Sequence, residues 1–245
     1  MNSPTSVARQ GPRPYQEDRH YETYIPDRKW LLLAIMDGHG GADTADFCEK
    51  NIFRMMPIDK GTPKHSLRAL VVNLNSATRQ HKTGSTFSGV IISEKQNTAS
   101  VAILGDSPVV ILDDKGQLHI SPEHNVRTNI EEREAAIKRG GEYSGGYIWI
   151  NDGDLGTQGL QMSRALGDVL LGRILSREPE TYNVYNPVWV LVASDGLFDP
   201  SHKNSKSLLE EMKKFAKSKA TADTLMAWAE KRGLEDNATA VVWNR

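Results

Sequence analysis

Four aspartates of this chain each lie at one end of a short apolar run with the composition of a β-strand. Asp37, Asp106 and Asp195 follow such runs, and Asp236 comes just before the last one. Glycine follows Asp37 and Asp195 directly, which lets a ligand or a backbone carbonyl approach closely. A single Asp-Gly after a strand is usually only a turn. Four acids converging at one edge of stacked sheets would instead form the hard-oxygen site that Mg²⁺ or Mn²⁺ prefers.

The runs that must position these acids are rich in Val and Ile and are bounded by Gly, Asp, Asn or Ser, which predicts β-strands. The predicted strands are 30–36, 86–92, 100–104, 109–112, 147–150, 188–193 and 238–243. Strands between 86 and 112 follow one another with short turns, which favours antiparallel hairpins. The stretch 142–159 is rich in glycine and polar residues around a short apolar piece, and it predicts a surface loop or flap.

Apolar residues at three- and four-residue spacing predict five helices. They are 42–56, 66–81, 129–139, 206–217 and 222–232. Four of the five fall into two pairs, one before and one after the central strands, so an α+β layered fold is favoured over a doubly wound parallel sheet. No repeat or linker divides the chain, and we therefore expect a single domain over residues 1–245.

The composition argues against several classes of protein. Lys and Arg total 30 against 31 Asp and Glu, so the basic excess of a nucleic-acid binder is missing. No apolar run approaches the roughly 20 residues of a membrane span. One cysteine allows neither an intrachain disulfide nor a cysteine-based zinc site. We expect a monomer that acts inside the cell in the cytoplasm, although the sequence does not separate cytoplasm from nucleus or organelle.

The acids belong to short motifs that follow one another in a definite order. These are Arg13 to Asp18, Ile35-Met-Asp-Gly-His-Gly-Gly41, Gly84-Ser-Thr86, Leu104-Gly-Asp-Ser107, Glu134 to Gly141, Met162-Ser-Arg-Ala-Leu-Gly-Asp168, Glu178-Pro-Glu180, Ser194-Asp-Gly-Leu-Phe-Asp199 and Glu235-Asp-Asn237. Over residues 13–242 this series resembles the metal-dependent protein phosphatases of type 2C, the PPM family. One such motif would be weak evidence, whereas their joint order is strong.

The resemblance implies a fold of two stacked antiparallel β-sheets flanked by pairs of α-helices, a four-layer α-β-β-α sandwich. It also implies a site for two Mg²⁺ or Mn²⁺ ions, with a third bound weakly. The implied metal-site residues are Glu17, Asp18, Asp37, Gly38 (through its carbonyl), Asp195 and Asp236, with Asp106 and Asp199 as candidates for the third ion. Asp37 would bridge the two main ions, and Asp18 would hold metal-bound water.

The activity implied by the resemblance is hydrolysis of phosphate esters on Ser and Thr side chains of a protein substrate. A water activated between the two cations would attack phosphorus with no covalent enzyme intermediate. Arg13 would hold the phosphate through its planar fork of donors. His39 would protonate the leaving oxygen. Together with the metal ligand Asp37, these two are the predicted catalytic residues.

Three alternatives stay open beside this interpretation. Cys48 and Arg54 have the Cys-x₅-Arg spacing of thiol phosphatases, but the residues between them include Glu49 and no glycine, so a phosphate cradle is not expected. A pseudophosphatase that only binds is a second reading, although such proteins usually lose a metal acid and this chain keeps them all. A phosphoesterase for small molecules is the third. Departures from the family pattern include Glu123 where Asp is common and Pro108 where a basic residue is common, and Pro108 together with the Gly- and Tyr-rich flap leaves substrate preference open.

Overall fold

Two five-stranded β-sheets form the centre of the molecule, and the computed structural model describes residues 1–58, 61–152, 156–198 and 205–245. In spatial order, the first sheet contains β1 (Thr5–Arg9), β16 (Ala238–Asn244), β15 (Pro187–Ala193), β8 (Val109–Asp113) and β9 (Leu118–Ile120). The second contains β14 (Glu180–Tyr185), β7 (Thr98–Leu104), β6 (Phe87–Ser93), β3 (Trp30–Met36) and β2 (Arg19–Ile25). Neighbouring strands of both sheets pair antiparallel.

Strand β3 shows why its sequence is apolar without interruption. Successive side chains of a strand point to opposite faces of the sheet. Leu33 and Ile35 belong to the core between the two sheets, while Leu32 and Met36 belong to the core between the second sheet and its helices. Both faces of this strand are therefore dry, and a polar residue on either face would lose its water.

Helices cover the outer face of each sheet and complete the predicted four-layer α-β-β-α sandwich, which the structure confirms. Helices α1 (Asp43–Met55) and α2 (Pro63–Thr78) pack on the second sheet. Helices α4 (Ser205–Lys217) and α5 (Ala222–Arg232) pack on the first. Among the described residues, the α-helices agree with the predicted ones in number and order. Within the described ranges, no helix combines the length and apolar character needed to cross a bilayer.

Within the stretch predicted as a surface loop or flap, the predicted strand 147–150 is confirmed, but the strands on either side of it were wrongly predicted as loop, and together they form a small antiparallel sheet. It consists of β10 (Glu142–Ser144), β11 (Tyr147–Asp152) and β12 (Gly156–Leu160), and α3 (Ile130–Lys138) packs beside it. Gly145 and Gly146, at φ 61° and 89°, form the two-residue turn of a hairpin because both positions require positive φ. Glycine here makes a turn between strands, and the polar residues face water.

A third small sheet joins three segments that are distant in sequence. Its strands, in spatial order, are β13 (Leu166–Gly167), β5 (Gly84–Ser85) and β4 (Gly38–His39). In the antiparallel register, His39 and Gly167 both pair with Gly84. Strands of two residues carry no periodicity, so the sequence pattern did not predict them. They matter because they bring β4, directly after the acid at the end of β3, beside the segment after β13.

The buried thiol of Cys48 generates a first prediction. Cys48 lies on α1 with no exposed surface, and burial raises the pKa of its thiol to about 12. Because the thiolate is the reactive form, iodoacetamide should leave native Cys48 unmodified and should label it fully after unfolding in guanidinium, as read by mass spectrometry. Stoichiometric labelling of the folded protein would contradict this and would reopen the thiol alternative.

Candidate metal centre and catalytic site

The candidate site lies where strand ends from both large sheets meet. Asp37 directly follows β3, and Asp106 lies two residues after β7, both strands of the second sheet. Asp195 lies two residues after β15 and Asp236 two residues before β16, both strands of the first. The two stacked sheets thus contribute two carboxylates each. The convergence that the strand-end pattern predicted depends on this stacking.

Electrostatic interactions link Asp37 to the other acids of the site. Burial raises the pKa of Asp37 well above its ordinary value, and the negative charges of Asp18, Asp195, Asp106 and Asp236 raise it further. A like charge acts on a pKa in this way only at short range. Asp37 is therefore the centre of a cluster of five carboxylates drawn from four strand ends and one loop.

Asp18 is anchored by one of its two carboxylate oxygens. The residue is only 3% exposed, and its Oδ2 accepts hydrogen bonds of 2.8 Å from Oγ of Ser194 and 2.8 Å from Oγ1 of Thr239. Its Oδ1 is buried and has no hydrogen-bond partner among the described residues. Burial raises the pKa of Asp18, and the two hydroxyl hydrogen bonds offset part of that rise. One oxygen is therefore fixed in place while the other remains available.

The loop that carries Glu17 is tied to the last strand by Asn237. The side-chain oxygen of Asn237 accepts from the Glu17 N–H at 2.7 Å, and its amide group donates to the carbonyl of Tyr15 at 3.0 Å. Gly38 closes against the same loop, since a Cβ at Gly38 would lie 2.5 Å from the Glu17 carbonyl oxygen. A side chain at position 38 would push Glu17 away from Asp37.

Arg13 reaches the cluster from the same loop. Its Nη2 donates to Oδ2 of Asp236 at 2.5 Å, and its side chain is about half exposed at 51%. The structure thus brings the predicted phosphate-binding residue to the predicted site, but with a carboxylate as its partner. An exposed arginine of this kind can exchange that partner for another anion at little cost.

His39 and Asp168 form a hydrogen-bonded pair across Gly84. Nε2 of His39 lies 2.8 Å from Oδ2 of Asp168, and a Cβ at Gly84 would collide with both atoms. The Nδ1 atom of His39 is buried without a hydrogen-bond partner among the described residues. Because the Asp168 carboxylate can only accept, the pair leaves a proton on Nε2, and Nδ1 is the nitrogen left for chemistry.

The backbone that presents Asp168 is held by a half-buried arginine. Asp168 has a φ of 49° and a ψ of 56°, the left-handed conformation that a non-glycine residue adopts at some cost. Arg177 donates to the carbonyl of Gly167 at 2.6 Å and also to the carbonyl of Ala165. These contacts fix the turn that points the Asp168 carboxylate at His39.

The two predicted ligands of a third ion have different outcomes. Asp106 lies in the cluster, and its Oδ2 accepts a hydrogen bond of 2.9 Å from the side-chain amide of Asn125. The buried ring of His124 supports the same turn, because its Nδ1 accepts from the Gly105 N–H at 3.1 Å. Asp199 lies outside the described residues.

The cluster suits hard divalent cations on its own chemistry. It offers carboxylate oxygens, including the unpartnered Oδ1 of Asp18, and its negative charges repel one another around Asp37. Oxygen ligands of this kind are those that Mg²⁺ and Mn²⁺ prefer. In the part of the chain that the structure describes, no group of three or more Asp, Glu, His or Cys side chains has the arrangement needed to hold a metal ion. Like charges with no cation between them are expected to stay apart.

Sequence reasoning missed the supporting residues of the site. Asp168 was part of a recognised motif but received no role, and Asn125, Ser194 and Thr239 were not singled out as partners of the acids. The signal that could have been used is the pair of short glycine-containing motifs at 84–86 and 162–168. Glycine beside small polar residues indicates close backbone approach, but the partner of each motif is set by the fold.

Comparison with known proteins assigns the chain to a protein family. The model of the family "Protein phosphatase 2C" matches residues 5–238, and this chain belongs to that family. Arabidopsis thaliana "Probable protein phosphatase 2C 11" is 28% identical over 249 residues, covering 95% of this chain and 63% of the relative. Caenorhabditis elegans "Protein phosphatase fem-2" is 28% identical over 262 residues, covering 95% of this chain and 56% of the relative. The chain therefore spans less than two thirds of either relative.

Solved structures show the same fold. A Toxoplasma gondii serine-threonine phosphatase 2C superposes with a TM-score of 0.74 at 19% identity, over 98% of this chain and 93% of that one. The catalytic domain of the serine threonine protein phosphatase PstP, solved in complex with two manganese ions, gives a TM-score of 0.64 at 23% identity, over 98% of this chain and 96% of that one.

The raised pKa of Asp37 predicts how stability depends on pH and metal. The folded protein keeps the Asp37 proton to a higher pH than the unfolded chain does, so the metal-free protein loses stability as the pH rises from the ordinary value of 3.8 through the raised pKa. With chelator present at about pH 7, Asp37→Asn should therefore melt a few degrees above the wild type. That advantage should shrink as the pH falls toward 3.8.

The exposed carboxylate of Asp114 provides the control, since Asp114→Asn should leave the melting temperature unchanged at either pH. Adding Mn²⁺ should stabilise the wild type more than Asp37→Asn, because bound cation relieves the repulsion. A metal-free Asp37→Asn protein that melts below the wild type at neutral pH would contradict the repulsion argument.

Proposed function

We propose that this chain is an active, metal-dependent protein phosphatase that hydrolyses phosphoserine and phosphothreonine esters. The observation that carries the proposal is the cluster of carboxylates around Asp37, in which burial and four neighbouring negative charges raise the pKa of its carboxyl group. A cluster this unfavourable without cations is the arrangement expected at a functional site rather than a structural one. Membership of the protein phosphatase 2C family supports the reaction class.

The proposed metal-site residues are those inferred from the sequence. Glu17, Asp37, the Gly38 carbonyl, Asp195 and Asp236 would hold two Mg²⁺ or Mn²⁺ ions. The neighbour PstP contains two manganese ions, which supports this number. When bound, the ions would supply an activated water and neutralise charge on the phosphoryl oxygens.

Asp18 would orient water at the cluster through its buried, unpartnered Oδ1, because hydrogen bonds from Ser194 and Thr239 fix its other oxygen. Asp106, supported by Asn125, would serve a third, weaker ion.

The side chains of the chain itself would position the substrate and move the proton. Arg13 would release Asp236 and pair with the phosphate, for which its fork of donors is suited. His39 would give its Nδ1 proton to the leaving Ser or Thr oxygen, and Asp168 would stabilise the ring in its charged form through Nε2. Asp168 is thus a positioning residue that acts through His39.

The activity is tested by hydrolysis of p-nitrophenyl phosphate in Mn²⁺ or Mg²⁺, with and without chelator. Metal-dependent turnover is expected, and its absence from pure folded protein would favour the pseudophosphatase alternative. Comparing kcat/KM for phosphoserine peptides with that for phosphorylated metabolites separates the protein phosphatase from a small-molecule phosphoesterase.

The central position of Asp37 predicts the effect of its substitution. Asp37→Asn should abolish turnover and weaken the binding of both ions, because the proposed shared ligand loses its charge. Calorimetric titration with Mn²⁺ and the p-nitrophenyl phosphate assay measure the two effects, and Asp114→Asn serves again as the control. Turnover by Asp37→Asn at the wild-type rate would contradict the assignment.

The His39–Asp168 pair predicts a dependence on the leaving group. His39→Ala should slow hydrolysis of phosphoserine peptide by roughly 10²–10⁴-fold, and p-nitrophenyl phosphate much less, because nitrophenolate leaves without a proton. Asp168→Asn should show the same pattern with a smaller loss, of roughly tenfold or more, at unchanged melting temperature. Equal losses on both substrates would mean that neither residue takes part in proton transfer.

A further inference from the structure

An apolar cavity of about 360 Å³ lies beside the carboxylate cluster. One wall is formed by Leu209 and Met212 of α4, and another by Val110 of β8 and Ile120 of β9. Leu209 and Ile120 are 39% and 41% exposed, so solvent reaches both walls. A volume at the low end of the roughly 300–1,000 Å³ found for small-molecule sites suits one large side chain.

The cavity is continuous with the candidate catalytic site. Asp106 and Asp195 line it, and the same two carboxylates raise the pKa of Asp37 by repulsion. A polymer that places its phosphoryl group at the cluster therefore has the opening of the cavity directly beside its phosphorylated residue. A residue close in sequence to the phosphorylated one would be carried to this opening.

The lining selects the chemistry of that residue. Pro108, whose carbonyl accepts from the Ala193 N–H at 3.1 Å, lines the cavity without adding a charge or a side-chain donor. Glu123 and the two aspartates give its polar edge a negative character, which repels an acidic side chain. The same negative edge would attract a lysine or arginine, whose charged group could stay at the open, acidic side of the cavity. The apolar walls themselves favour an aliphatic or aromatic side chain, which buries apolar area there without bringing a charge.

We propose that this cavity is a specificity pocket for an apolar side chain, such as Leu, Met or Phe, that flanks the phosphorylated Ser or Thr of a peptide substrate. The inference rests on the proposed phosphatase function and adds a substrate class to it. Occupation of the pocket would raise kcat/KM for such peptides by about 10–100-fold over otherwise identical acidic ones, the discrimination usual for an apolar pocket.

The test is a panel of phosphoserine peptides of one length in which each flanking position carries Leu, Ala, Lys or Asp in turn. In Mn²⁺, the wild type should prefer Leu at one or two flanking positions. Leu209→Asp and, on the other wall, Ile120→Asp should both abolish that preference while turnover of p-nitrophenyl phosphate, which has no flanking residues, is kept. Using both walls guards against a single variant that fails to fold.

Val72→Asp is the matched control, since Val72 is 44% exposed on α2, away from the cavity lining, and should keep the preference. Equal kcat/KM across the panel, or a Leu preference that survives both substitutions, would overturn the pocket and leave the cavity to a free small ligand. Absence of metal-dependent turnover even on p-nitrophenyl phosphate would instead overturn the phosphatase proposal, and the pocket with it.

Discussion

Mutual repulsion among clustered, mostly half-buried carboxylates is the constraint on which the rest of this structure depends. Asp37 lies at the end of a strand whose two faces are dry, and four other acids raise the pKa of its carboxyl group. Interactions between neighbours in sequence would not hold such charges together, so the framework of β-strands must do so. Rigid strand ends from two stacked sheets, with the hydroxyls of Ser194 and Thr239 on Asp18, keep the acids in place against their repulsion. The framework thus maintains, in the metal-free protein, a repulsion among carboxylates that a bound divalent cation would relieve.

The small three-stranded sheet shows how close packing of the backbone places two side chains at a defined distance. His39 and Asp168 come from segments far apart in sequence and meet over Gly84, where a side chain would block them. Arg177 holds the carbonyls of Ala165 and Gly167, just before Asp168. The pair leaves Nδ1 of His39 without a hydrogen-bond partner among the described residues. The same region adjoins the carboxylate cluster because β4 begins one residue after Asp37, so acid placement and proton placement depend on one short stretch of backbone.

Much of the fold was predictable because the central strands of the two large sheets are buried on both faces. Strand β3 was predicted with its observed bounds, Trp30–Met36, since a wholly apolar run needs a dry environment on either side. Strands β1, β2 and β14 were not predicted, because their side chains are largely half-buried or exposed and their sequences contain many polar residues. Strand β11 was predicted at 147–150, whereas its partner β10 was interpreted as loop, since glycine and polar residues mark a turn and a surface strand equally well in sequence.

The sequence by itself determined the inventory of the site and its order. The acids at strand ends, the glycines beside them and the family motifs are local features, and local features can be read along the chain. Only the tertiary structure decided which of these residues touch. It paired His39 with Asp168, gave Asp106 the support of Asn125, and left an apolar cavity between α4 and the first sheet. The physical reason is that such contacts join residues widely separated in sequence, and their distances follow from the stacking of layers rather than from any spacing along the chain.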